Sequence, residues 1–70
     1  MRFSRHARNE MRLYRLTRQD VAAVVASPQE RDMDERGNLR LIGQALDGRR
    51  ILVVIAEDDQ DFVITVFLRS

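Results

Sequence analysis

Apolar residues recur with two different periods along this chain. In the first half, Phe3, Ala7, Met11 and Tyr14 share one face at 100° per residue, and Val21, Val24 and Val25 share another further on. In the second half the apolar residues gather in strand-length runs, 39–45, 49–56 and 62–68, rich in Ile, Val, Leu and Phe. The change of period predicts two helices followed by strands. Segregated in this way, the elements make an α+β domain, with the helices covering one face of an antiparallel sheet.

Local signals set the boundaries. Ser4 is placed to cap a helix over 5–14. Thr17 is placed to cap a second over 18–26, with Asp20 at the third position and Leu16 and Val21 where a hydrophobic staple packs. Ser27-Pro28 ends it, because the residue before proline avoids the helical region. A connection of one or two residues predicts a tight helical hairpin. Asp47-Gly48 between two apolar runs predicts a β-hairpin with a type I′ turn. The polar stretch 57–61 predicts a loop. A weaker strand is expected over 30–35, turning at Arg36-Gly37-Asn38. The expected architecture is a single domain, 1–70, with an N-terminal helical hairpin on a three- to four-stranded antiparallel sheet. The run from Ile51 to Ala56 is apolar on both faces and is expected at its centre.

Composition narrows the chemistry. Seventy residues make one domain with a small core. The absence of cysteine excludes disulfides and thiolate metal sites, and a single histidine excludes a His-rich one. The acidic stretch 57–61 lacks the central Gly and terminal Glu of a twelve-residue calcium loop. No Walker, dinucleotide-binding or nucleophile-elbow motif occurs. No metal and no cofactor is therefore expected. No apolar run approaches the ~20 residues of a membrane helix, and no signal peptide is seen at the N-terminus. A soluble cytoplasmic domain is expected.

The net charge of +1 conceals a segregation, and every basic residue is Arg. Residues 1–19 carry a net +5, residues 20–35 a net −4, residues 36–56 a net +3 and residues 57–61 a net −4. Arg5, Arg8, Arg12 and Arg15 project onto about 80° of the first helix, beside its apolar face. Such a stripe suits phosphate, because the guanidinium fork donates two parallel bonds and stays charged. The same stripe equally suits pairing with the acidic segments 30–35 or 57–61.

The segments Phe3-Ser4-Arg5-His6-Ala7-Arg8 with Met11, Leu16-Thr17 with Asp20-Val21, Ser27-Pro28, Gly48 to Val54 and Val63 to Phe67 resemble a small bacterial domain family of unknown function. That family is similar to the BrnT-like and RelE-like toxins, whose fold packs N-terminal helices on an antiparallel sheet. The resemblance implies a metal-independent ribonuclease of a toxin–antitoxin system, with RNA as substrate and a cognate antitoxin as partner.

Metal-free RNA cleavage needs a proton acceptor, a proton donor and cations around the pentacovalent phosphate. His6 is the one side chain whose unperturbed pKa suits either proton transfer near neutrality. Its alternative role is packing at the edge of the helix. On the wheel it lies 100° or more from the arginine stripe, so the cations of a site would come from the sheet. Arg40, Arg50 and Thr65 are the candidates there, as phosphate clamps and a hydroxyl donor. Their alternatives are solvent-face arginines and a β-branched strand former. Arg40 and Gln44 share one face of their strand, and Arg49 and Arg50 project oppositely. Tyr14 belongs with the core by its spacing. A non-catalytic module is the rival expectation, binding RNA or protein, or self-associating through a sheet face with Ile42, Val63 and Phe67.

Overall fold

The computed structural model describes residues 1–69. Its elements run β1 (Arg2–Phe3), α1 (Arg5–Tyr14), α2 (Arg18–Ala26), β2 (Glu30–Met33), β3 (Leu39–Gln44), β4 (Arg50–Ala56) and β5 (Asp59–Leu68). Both helices keep the expected boundaries because their starts are encoded locally. Ser4 Oγ accepts the N–H of Ala7 at 2.9 Å. Thr17 Oγ1 accepts the N–H of Asp20, and the Asp20 carboxylate accepts the N–H of Thr17 at 2.7 Å, closing a full capping box. The staple residues Leu16 and Val21 are both buried.

The sheet has the order β1-β5-β4-β3-β2, so β4 is central as expected. It has five strands rather than three or four, and it is mixed rather than antiparallel. The added strand β1 pairs in parallel with Phe62 and Val63 of β5. Two residues without periodicity leave no sequence pattern, and long-range pairing alone makes them a strand. The remaining pairs are antiparallel.

Three expected details change. The β3–β4 turn is not type I′. Asp47 keeps a negative φ, and only Gly48 is left-handed, at φ 89°. Ala45 and Arg49 pair across a three-residue connection, in which Gly48 N–H also donates to the Ala45 carbonyl. That is the type I turn with a following left-handed glycine, the common alternative in hairpins. Next, β5 begins at Asp59, three residues into the expected loop. Finally, the β4–β5 register shifts on either side of Ile55, and Val63 rather than Ile64 opposes Ile55. This irregularity moves Val63 into the core, where it is 1% exposed, instead of onto the open face beside Phe67.

The helices form no tight hairpin of their own. α1 packs on β5 and β1, whereas α2 packs on β3 and β4. Ala7 and Met11 of α1, Val21 and Val24 of α2 and Leu41, Ile51, Val53, Ile55, Val63 and Val66 of the sheet form one core, with Tyr14 half-buried against it. β1 covers only Phe62 and Val63 of the outer edge of β5, yet Val66 is fully buried, because α1 lies against it. The opposite edge, β2, is wholly exposed and carries Glu30, Arg31 and Asp32, charges that discourage edge-to-edge pairing. No helix among the described residues is long and apolar enough to cross a membrane.

Candidate nucleic-acid interface

Strand pairing places the polar residues of the open face in rows. One row runs Asp32, Arg40, Val54, Thr65, and the next Glu30, Ile42, Leu52, Phe67. Arg40 donates from Nε and Nη2 to the two Asp32 oxygens at 2.7 and 2.8 Å, a bidentate fork. The bond from Arg40 holds the Asp32 carboxyl below its ordinary range and pushes the Arg40 guanidinium up. Arg50 pairs with Glu30 across the sheet through a single Nη2 contact. Arg2 pairs with Asp59 and approaches Asp61. Glu30, Asp32, Asp59 and Asp61 of the acidic segments are therefore engaged by arginines of the sheet.

The helix arginines are left without such partners. Arg5, Arg8 and Arg12 are exposed, and none of their side chains forms an ion pair or hydrogen bond among the described residues. Arg15 departs from the expected stripe. The helix ends at Tyr14, and Arg15 takes a left-handed conformation at φ 55°, which carries it off the helical register. Its carbonyl and that of Tyr14 accept bonds from the Arg49 guanidinium, which thereby caps the end of α1. Arg49 and Arg50 do project oppositely, one to the helices and one to the open face.

Thr65 lies in the same row as Arg40, two strands away with Val54 between them, and shares its face of the sheet. Its Oγ1 is buried and has no hydrogen-bond partner among the described residues. Both residues line a shallow groove of about 530 Å³ on the open face, floored by Val54 and Ile64 and overhung by Glu35, Arg36 and Asn38. The overhang is rigid: Asp34 accepts the N–H groups of Arg36 and Asn38 and the Asn38 side-chain amide. Burial works to raise the Asp34 carboxyl, and these bonds outweigh it and hold the carboxyl low. The sequence marks Arg36-Gly37-Asn38 as a turn and carries no sign that it stands over Thr65.

The four candidate catalytic residues do not converge. Arg50 opposes Gln44, four residues along β3 from Arg40, or roughly 13 Å at strand spacing. His6 is exposed on α1 outside the groove, its ring 5.9 Å from that of Phe67 and inclined by 67°. It thus takes the edge-packing position. Among the described residues no three His, Cys, Asp or Glu side chains are arranged to hold a metal ion.

The sequence model of a family described as a domain of unknown function (DUF4258) matches residues 3–68. No curated protein and no solved structure is significantly similar to the chain.

Proposed function

The chain belongs to the DUF4258 family of domains of unknown function, and for this member we propose RNA binding through the arginine face of α1. The observation that carries the reading is the division of charge. Arg2, Arg40, Arg49 and Arg50 each pair with a carboxylate, whereas Arg5, Arg8 and Arg12 stand exposed on one helix face without one. Adjacent like charges on a helix repel and destabilise it. A polyanion relieves that repulsion and releases its own counterions. The test is titration of a single-stranded RNA at several salt concentrations. Affinity falling with salt, and lost in the triple variant Arg5→Gln/Arg8→Gln/Arg12→Gln, supports the reading. Salt-independent binding, or full affinity in the triple variant, refutes it.

A second reading makes the domain a metal-independent ribonuclease of the RelE- and BrnT-like toxins, inhibited by an antitoxin. It is favoured by the exposed imidazole of His6 against Phe67, on a fold that sets two N-terminal helices over one face of the sheet. Arg40, Arg50 and Thr65 would then have to meet His6 across the bound RNA, since they do not meet in the free protein. RNA cleavage in the presence of a chelator, abolished by His6→Ala, is its signature. RNA left intact by the unmodified protein rejects it.

A further inference from the structure

We propose that the open-face groove takes one unpaired RNA base. The inference rests on the RNA-binding reading and adds the form of the ligand and a second contact site. The groove measures about 530 Å³, and its lining suits a neutral planar ring with polar edges. Val54 and Ile64 form an aliphatic floor for a ring face. Glu35 and Arg36 on the overhang, both exposed, offer an acceptor and donors side by side, and their charges cancel. A phosphate would gain little there, because Asp34 and Glu35 line the groove together with Arg36 and Arg40. A base edge, with its own donors and acceptors, matches such a mixture.

The Thr65 hydroxyl supplies the specific indication. A buried hydroxyl without a partner is costly, and the cost is removed by whatever ligand bonds to it. Thr65 lines the groove with its Oγ1 buried in the wall and unpartnered, and Arg40, two strands away across Val54, lines the same groove with an Nη1 not engaged by Asp32. A carbonyl or ring nitrogen of a base seated on this wall can accept from the Thr65 hydroxyl. The position also selects the kind of RNA. A strand lying on α1 reaches the groove over the β5 edge, where His6 and Phe67 meet. A single strand can make that turn and splay out a base, whereas a duplex keeps its base edges in the stack.

The test compares three probes of equal length: an unstructured single-stranded RNA, the same backbone made abasic, and a duplex. The unmodified protein is expected to bind the single strand at least tenfold more tightly than either of the others. Thr65→Val, which keeps the shape and removes the hydroxyl, is expected to weaken binding of the intact strand three- to tenfold and to leave the abasic strand unaffected. Arg36→Gln is expected to act like Thr65→Val. Equal affinity for intact and abasic strands overturns the base site, as does full affinity of Thr65→Val for the intact strand. In both of those outcomes the RNA-binding reading stands. Absence of binding to all three probes removes both.

Discussion

The carboxylate of Asp20 accepts the backbone N–H of Leu46 at 3.0 Å, joining the first turn of α2 to the β3–β4 turn 26 residues away. Asp20 is 6% exposed and also holds the N–H and hydroxyl of Thr17. One side chain therefore closes the capping box and fixes the helix against the hairpin. Removing it leaves the Thr17 and Leu46 N–H groups unpaired, at about 1–3 kcal/mol for each that is buried. Asp20→Ala is expected to cost about 2–3 kcal/mol, a fall of roughly 10–20 °C in Tm for a domain of this size. Thermal unfolding followed by circular dichroism measures it, and a fall under 5 °C rejects the bridging role.

The same carboxylate makes stability depend on acid. The backbone bond from Thr17 is the strongest influence on Asp20, and with the bond from Leu46 it outweighs burial and holds the carboxyl below its ordinary value. Protonation is thus harder in the folded than in the unfolded chain. The stabilisation is complete above the ordinary value of about 4 and is lost as pH falls through the lower folded value. Asp32, Asp34 and Asp61 shift in the same direction. Tm is expected to be flat from pH 7 to 5 and to drop below pH 4, with a shallower drop in Asp20→Asn. An unchanged slope in that variant removes Asp20 from the acid response.

These two effects were partly legible in the sequence, and the difference is physical. Thr17 and Asp20 are three residues apart, so their mutual capping follows from helix geometry alone. The bond to Leu46 depends on where the hairpin lands, which no local pattern encodes. The open face divides similarly. The parity of Arg40 and Gln44 follows from the pleat, and both do face outward. That Asp32 opposes Arg40 follows from the 34–38 turn, whose asparagine and aspartate fix the register. Simple alternation puts Val63 on the open face, but one extra residue in β5 reverses parity there, and the wheel puts Arg15 in the stripe, but the helix closes one residue before it.

Two left-handed residues are expected to respond oppositely. Arg15 carries a side chain at φ 55°, where glycine is the usual residue after a helix. Arg15→Gly is expected to stabilise by about 0.5–1 kcal/mol, since its carbonyl bond to Arg49 is retained. Gly48 has φ 89°, and a Cβ there would meet no atom within 4 Å. Gly48→Ala is therefore opposed by backbone strain alone, at about 1–2 kcal/mol. Urea midpoints of the two variants should move apart, and movement in one direction refutes the assignment.

Thr65→Val is expected to raise stability even as it weakens RNA binding. The hydroxyl is desolvated without a partner, so replacing it by a methyl of the same shape removes a cost of about 1 kcal/mol. Tm is expected to rise by about 4–8 °C. A fall would mean that the hydroxyl has a partner in solution, and the base site would lose its main support.

The salt dependence of RNA affinity distinguishes the two sets of arginines. Each phosphate contacted by a cation on a single strand contributes about 0.7 to the slope of log affinity against log salt. Arg5, Arg8 and Arg12 lie within two turns of one helix, close enough to follow one strand. Changing all three to Gln is expected to lower the slope by about 2. Arg40 and Arg50 are engaged by Asp32 and Glu30 and can contact phosphate only by giving up those partners. Exposed pairs of this kind are weak and screened by salt, so the competition is real but the arginines are not locked. Arg40→Gln/Arg50→Gln is accordingly expected to lower the slope by less than 0.5. Equal reductions in the two variants would put the backbone contacts on both faces of the sheet, and a larger reduction from the sheet pair would move the phosphate path from α1 to the open face.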